Sequence, residues 1–266
     1  MPTKFTEQQI DTFLKINIEK GKLKGLYQQD KYINKREVIL DNSKKSTNRI
    51  QDDFISEWLI KHNIKLLFKK NIEMIKRERP YKSLEHTGDK PNEKKSFLDL
   101  VNKEVLFARR LFNEKLGFLG KIIDYQTPIR KTKSKENEGV GDIDLLSYND
   151  KNETLYLIEV KRLKSEETML RAILEICTYF YQIDKDKLKK DFDYSNSTNI
   201  KKAVLVFKNS PLYIKYKEAV SNGNHSIIKL AELLDVEIFN LDIIDNKIII
   251  EKDNALLNSQ GLTNGS

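Results

Sequence analysis

The chain has 266 residues, of which 39% are hydrophobic and 33% are charged, and it contains a single cysteine. This length favours one large domain, or one domain with an appendage, over several independent units. No apolar run approaches the roughly 20 residues that a membrane span needs, and no apolar signal-peptide core follows the first residues. We therefore expect a cytoplasmic protein that does not contact membranes.

The net charge is concentrated in the first third of the chain. Lysine and arginine total 48 against 40 acidic residues, which gives +8. Residues 1–95 contain 22 basic and 14 acidic side chains, whereas residues 96–266 contain 26 of each. A basic balance suggests a nucleic-acid partner, but 39 of the basic residues are lysines, as an AT-rich genome would also produce. Charge alone therefore leaves the partner open.

Residues 1–95 are typical of a helical, irregular region. Thr6 can cap a helix whose apolar residues, from Ile10 to Ile18, repeat at helical spacing. A second helix is predicted over residues 50–62, where Trp58 is more typical of a core residue than of a DNA-facing one. Two prolines, a glycine and many charges in residues 78–95 predict a linker or surface loop. We place a domain boundary there.

From residue 96 onward the pattern predicts a mixed α/β domain over residues 96–253, followed by a flexible tail at 254–266. An apolar stripe predicts one long helix, with Ser96 as its cap and Gly117 as its stop. The predicted elements that follow are strands over 118–129, 139–148 and 154–162, a helix over 165–183, a strand over 201–207 buried on both faces, helices over 211–222 and 226–234, and strands over 236–241 and 247–251. The core order is therefore αβββαβ.

The sequences GDIDLL at 141–146 and LIEVKR at 157–162 carry the chemistry. Side chains alternate along a strand, so Asp142 and Asp144 lie on the same face of their strand. Likewise, Glu159 and Lys161 lie on the same face of theirs. A hairpin between the two strands brings Asp144 close to Glu159. Like charges that crowd together need compensation, and oxygen ligands without nearby His or Cys select Mg²⁺, with Mn²⁺ as a substitute.

Lys161 adds a fixed positive charge to this group. A lysine beside a metal-bound water can stabilise the negative charge that develops on phosphate oxygens. Its pKa is supported by the neighbouring acids. The three histidines, His62, His86 and His225, are isolated from one another in the sequence, so it offers little support for a histidine mechanism. The reaction that these parts fit is phosphodiester hydrolysis.

These residues resemble the PD-(D/E)xK nuclease superfamily, which has the restriction-endonuclease-like fold. The resemblance covers residues 97–207 and excludes the basic first third. It implies that Asp144, Glu159 and the carbonyl of Val160 hold metal, and that Lys161 positions or activates the attacking water. It also implies a further acid on the first core helix, which maps to Glu104 in preference to Glu114.

The remaining candidates leave alternatives open. Asp142 is an auxiliary ligand or an edge carboxylate. Many family members carry Gln-x-x-x-Tyr on the next helix, and here Glu175 and Tyr179 occupy that spacing, so the first position departs from the pattern. Tyr179 would orient Lys161 or touch a phosphate, and Arg171 would pair with Glu175 or contact a phosphate. The last candidates are the loop lysines, Lys131, Lys133 and Lys135. They would follow a phosphate backbone or form a solvated charge run.

The expected function is that of a Mg²⁺-dependent endodeoxyribonuclease acting on double-stranded DNA, with a restriction or phage-defence role by analogy. We expect a homodimer if both strands are cut, because one hydrolytic site normally cuts one strand. Two alternatives remain. The first is a nuclease for RNA or branched nucleic acid, and the second is a non-catalytic nucleic-acid-binding module with the same fold.

Overall fold

The computed structural model describes residues 6–19, 26–28, 33, 38–39, 49–86, 95–130 and 141–253. Eight α-helices lie in these segments: α1 (Glu7–Glu19), α2 (Gln51–Lys61), α3 (Ile64–Asn71), α4 (Glu104–Leu111), α5 (Met169–Gln182), α6 (Lys185–Asp191), α7 (Pro211–Ser221) and α8 (Ser226–Leu233). The strands are β1 (Val38–Ile39), β2 (Arg49–Ile50), β3 (Lys121–Pro128), β4 (Asp142–Asn149), β5 (Thr154–Lys161), β6 (Asn199–Phe207), β7 (Val236–Ile244) and β8 (Lys247–Lys252).

Six strands form one mixed sheet in the order β3-β4-β5-β6-β7-β8, so strands that follow one another in sequence are also neighbours in the sheet. The pairs β3-β4, β4-β5 and β7-β8 are antiparallel, and the pairs β5-β6 and β6-β7 are parallel. A parallel neighbour requires a long crossover, and α5 with α6 supplies the one between β5 and β6. The prediction of a mixed α/β fold is confirmed.

The sheet separates two apolar cores of unequal size. On one face, α4 and two short 3-10 turns (Phe97–Asp99 and Gly117–Leu119) cover one core. On the other face, the other seven helices share the larger core, to which α1, α2 and α3 contribute fully buried side chains. Strand β6 sends Ala203 to the first core and Val204 to the second. The prediction that this strand is buried on both faces is therefore confirmed.

Several local predictions in the first third agree with the structure. Thr6 caps α1, because its Oγ1 accepts from the backbone N–H of Gln9, whose side chain accepts from the N–H of Thr6 in return. Trp58 is buried, as predicted, and its indole N–H donates to Asp11 at 2.8 Å. The stretch 72–86 forms no helix, but Tyr81 within it is fully buried and its hydroxyl accepts from the N–H of Asp184.

The prediction of one long helix from residue 96 to residue 116 is wrong. Ser96 does cap a turn, but that turn is a 3-10 helix of three residues, and α4 begins only at Glu104. The carbonyl of Val101, which a continuous helix would use internally, accepts instead from the N–H of Leu163 just beyond β5. At the other end, Asn113 adopts a left-handed φ of 71° and its N–H donates to Ile122 of β3. Contacts with the sheet therefore shorten the helix at both ends.

The other differences concern element boundaries and two unpredicted helices. Helix α5 begins at Met169 with Thr168 as its cap, four residues after the predicted start, because the hydroxyl of Thr168 accepts from the N–H of Arg171. Helices α3 and α6 lie where no separate helix was predicted. Among the described helices, none combines the length and the apolar character that a bilayer span requires.

Candidate active site

The site is built where β4 and β5 separate. Their antiparallel ladder runs from Asn149 paired with Thr154 to Leu145 paired with Ile158, and it ends there. In the next position, Asp144 does not continue the backbone pairing. Its side chain enters the fork and Oδ2 accepts the N–H of Val160 at 2.8 Å. This register places Asp144 opposite Glu159, as the hairpin predicted, and the charge of Asp144 acts on Glu159.

Gln126 holds the second oxygen of the same carboxylate. Its amide Nε2 donates to Asp144 Oδ1 at 3.0 Å. Gln126 lies in β3 with a φ of 46°, a left-handed conformation that costs free energy for a non-glycine residue. Two residues earlier in β3, the buried Asp124 lies 2.5 Å from Nδ1 of His86, which anchors this part of the strand. Asp144 is therefore fixed from two sides.

Lys161 is the centre of a cluster of carboxylates. Its Nζ lies 2.8 Å from Glu159, 2.6 Å from Glu167 and 2.8 Å from Glu175. The lysine side chain is 7% exposed, so these ion pairs are largely shielded from solvent screening. Glu159 and Lys161 alternate with Ile158 and Val160, which pack in the core on the opposite face of the sheet. Both charged side chains therefore face α5.

Helix α5 contributes Glu175 and Tyr179, one turn apart on the same face. The hydroxyl of Tyr179 donates to Glu175 Oε1 at 3.0 Å, and Glu175 Oε2 accepts from Lys161. The departure from Gln at this position therefore places a carboxylate against the lysine. Arg171, on the same helix, has its Nε 3.4 Å from Glu167 and also lowers the pKa of Glu175 through its charge.

Gly141 gives Tyr179 the room that this chain of contacts needs. A Cβ atom at position 141 would lie 2.1 Å from the Tyr179 hydroxyl oxygen, far inside van der Waals contact. The glycine stands directly before β4, and therefore three residues before Asp144. Its role is steric, because it lets the aromatic side chain reach the start of the strand.

The ionisation of the cluster is strongly perturbed. Burial, the Glu104 charge and the surrounding acids raise the pKa of Asp144 well above its usual range. Burial and the charges of Asp144 and Glu175 likewise raise the pKa of Glu159. The pKa of Lys161 rises as well, because the attraction of three carboxylates outweighs the burial that opposes it. Burial opposes ionisation of Glu175 too, but Lys161 lowers its pKa.

Glu104 and Glu114 are clearly distinguished by their surroundings. Glu104 begins α4 and lies 3.9 Å from the Nε of Arg162. After burial, its charge is the next cause of the raised pKa of Asp144. Glu114 lies beyond the end of α4 and pairs with Arg110 at 3.1 Å. Three residues before Glu104, the carbonyl of Val101 accepts from the N–H of Leu163.

The remaining predicted residues lie outside this group. Asp142 begins β4 and pairs with Arg130 at 3.2 Å. The loop lysines Lys131, Lys133 and Lys135 fall outside the described residues. Sequence reasoning missed Gln126 and Glu167. Nothing in the local pattern marks Gln126. Glu167 falls in the first turn of the helix predicted over 165–183, but α5 begins after it, with Thr168 as its cap.

The donor chemistry of this cluster fits a hard divalent cation. Asp144 and Glu159 supply buried carboxylate oxygens whose pKa values are raised by burial and by neighbouring acids, and oxygen ligands of this kind suit such a cation. Among the described residues, no three Asp, Glu, His or Cys side chains are grouped as a ready metal site. The carboxylates of Glu159, Glu167 and Glu175 converge on the Lys161 ammonium.

Comparison with known proteins returns no relative: no family model, no curated protein and no solved structure matches this chain. The geometry and chemistry of the cluster are therefore the evidence for its function.

Proposed function

We propose that this protein is a metal-dependent nuclease that hydrolyses phosphodiester bonds in DNA, with a restriction-endonuclease-like core and a role in restriction or phage defence. The observation that carries the proposal is the convergence of two buried carboxylates with raised pKa values and a lysine at the fork of β4 and β5. Perturbed ionisable groups gathered in one place are typical of active sites. The order α4-β3-β4-β5-α5-β6, with α6 as an insertion, also supports the proposal.

Asp144, Glu159, the carbonyl of Val160 and Glu104 would hold Mg²⁺, with Mn²⁺ as a substitute. When bound, the ion would supply Lewis-acid stabilisation of the phosphate and a more acidic water. For Glu159 to bind the ion, its carboxylate must rotate so that at least one oxygen no longer contacts Lys161. The ion would thus replace the lysine as the main compensation for the buried acids.

Lys161 acts in this proposal as a charged donor. Because its pKa is raised, the ammonium keeps its proton at neutral pH and cannot serve as the base in the arrangement described. It would hold the attacking water and stabilise the charge that grows on the phosphate oxygens. Once Glu159 turns away, Glu175 remains as the carboxylate that fixes the direction of the lysine. Tyr179 and Gln126 are positioning residues, because they act through Glu175 and Asp144.

The test is cleavage by the full chain with Mg²⁺, Mn²⁺ or EDTA. Supercoiled plasmid, linear duplex, single-stranded DNA and RNA should be compared, since plasmid separates nicking from double-strand cutting and RNA tests the alternative substrate. Asp144→Asn and Lys161→Met should lose at least about a hundredfold in rate, within the range of effects for groups that stabilise a transition state. Asp142→Asn is the matched control, because it changes an acid two residues away on the same strand.

Two results would reject the proposal. One is metal-dependent cleavage that survives both Asp144→Asn and Lys161→Met in a folded protein, because the activity would then come from elsewhere. The other is the absence of cleavage of every substrate in both metals, with salt-sensitive nucleic-acid binding retained, which would favour a binding module.

A further inference from the structure

Two lysine ammonium groups contact a single aromatic ring near the C-terminal end of α5. Lys202 Nζ lies 3.8 Å from the ring centroid of Phe180, and Lys185 Nζ lies 4.0 Å from it. The two nitrogens are therefore no more than about 8 Å apart. In the described part of the chain, neither forms an ion pair with a carboxylate. The proposed nuclease chemistry uses neither lysine.

The two stems reach the ring from different elements. Lys202 lies on β6, on the face where Val204 and Val206 pack against α5, and its side chain is buried. Only 5% of the Lys202 surface is exposed. Lys185 is the first residue of α6 and is half-buried. A ligand would therefore approach the pair from the side of Lys185.

The surroundings do not neutralise this pair. The charged neighbours of Lys185 are Lys202, Asp186 and Lys189, and burial followed by the charge of Lys202 lowers the pKa of Lys185. The charged groups near Lys202 are Asp235 and Lys65, which already pair with each other at 2.5 Å. Cys177 is also close, but its pKa is raised to about 12, so it is uncharged at neutral pH. The aromatic ring attracts cations without adding negative charge.

We propose that Lys185 and Lys202 form a binding site for one phosphate group. Lysine is a common phosphate ligand, and one phosphate can accept from two ammonium groups at about 2.8 Å each. The Phe180 ring would hold both ammonium groups in place. A phosphate would supply the missing negative charge, as a metal ion would supply positive charge to the acidic cluster.

This site lies apart from the acidic cluster. Lys202 pairs with Leu157 in the sheet and Lys161 pairs with Val206, four residues further along, or about 13 Å at the usual rise per residue. The phosphate could belong to a nucleic-acid backbone or to a free phosphate or mononucleotide. The proposal does not depend on cleavage, so it can be tested separately from the proposed function.

The experiment is thermal unfolding and calorimetric titration of the full chain in EDTA, where no metal-dependent cleavage occurs. Inorganic phosphate is compared with chloride at equal ionic strength. Phosphate should raise the midpoint of the wild-type protein, and Lys185→Met or Lys202→Met should weaken its binding by roughly tenfold, the effect of losing one hydrogen bond to a charged group. Lys201→Met is the matched control on the same strand, because its partner Glu237 keeps Lys252 at 3.3 Å.

Either of two outcomes would overturn the proposal. One is that phosphate raises the unfolding midpoint no more than chloride does, and the other is that Lys185→Met binds phosphate as tightly as the wild type. The half-buried Lys185 makes this variant informative even if Lys202→Met folds poorly. A short DNA strand and a mononucleotide are titrated next. Tighter binding of the DNA that is lost in both variants would support the site and identify its phosphate as nucleic acid. Equal binding of mononucleotide and inorganic phosphate would support the site and identify its ligand as a free phosphate compound.

Discussion

Replacing Asp144 by asparagine should stabilise the metal-free protein while it removes the proposed activity. The carboxylate is buried, and burial, Glu104 and the neighbouring acids oppose its ionisation. Asparagine has nearly the same shape. Its carbonyl can accept from the N–H of Val160, and the Gln126 amide can turn so that its own oxygen accepts from the new NH₂ group. Both hydrogen bonds thus survive in neutral form.

The magnitude follows from two opposing terms. A buried charge costs several kcal/mol, whereas two hydrogen bonds that lose their charge assistance give up about 1 kcal/mol each. The net gain is about 1 to 2 kcal/mol, the usual size for relief of a functional site. For a chain of this length, that corresponds to a rise of about 2 to 8 °C in the unfolding midpoint.

The pH dependence has a definite sign. Because the folded-state pKa of Asp144 is raised, the folded protein binds more protons than the unfolded chain between the ordinary and the raised pKa. The stability of the wild-type protein should therefore fall as pH rises through that interval. The advantage of Asp144→Asn should grow with pH and be smallest in acid, where the wild-type carboxyl is protonated.

The assay is urea unfolding in EDTA at several pH values, repeated with Mg²⁺. Mg²⁺ should stabilise the wild-type protein, by about 1.4 kcal/mol at ten times its dissociation constant, and should stabilise Asp144→Asn much less. If Asp144→Asn is instead less stable than the wild type at pH 8 in EDTA, the carboxylate is a stabilising group and the reasoning about uncompensated charge is wrong.

Three further predictions address the rest of the cluster. Gly141→Ala should cost about 1 to 3 kcal/mol in thermal unfolding through its clash with Tyr179, and adding Tyr179→Phe should recover part of the loss; no recovery would place the clash elsewhere. Glu104→Gln should slow cleavage at least about tenfold whereas Glu114→Gln should not, and equal effects would remove Glu104 from the site. Lys161→Met should lower the free energy of unfolding by about 3 to 5 kcal/mol because it leaves buried carboxylates without their cation, and the loss should shrink in acid; a loss independent of pH would contradict the ion-pair explanation.

Much of the site could be predicted from short-range pattern. Alternation along the strands placed Glu159 and Lys161 on one face, and the turn between the strands set the hairpin register, which ends next to Asp144. The Glu-x-x-x-Tyr spacing placed Glu175 and Tyr179 on one face of α5. These inferences succeed because periodicity and short turns are local properties of the chain.

The parts that failed depend on contacts between distant residues. The long helix predicted after Ser96 is divided because Val101 and Asn113 bond to the sheet, and no local signal announces those partners. Gln126 reaches Asp144 only through a left-handed residue within a strand. His86 is isolated in the sequence, yet it meets Asp124 across 38 residues.

The sequence by itself determined the alternating strands, the register of the hairpin, and the acids and lysine that such a hairpin carries. The concentration of +8 charges in residues 1–95 was also evident from the sequence. Only the tertiary structure decided that Lys161 is surrounded by three carboxylates, that burial and the Glu104 charge raise the pKa of Asp144, and that Lys185 and Lys202 meet at Phe180. The physical reason is that pKa values and ion pairs depend on burial and on distances between side chains from separate elements, which the packing of the whole chain sets.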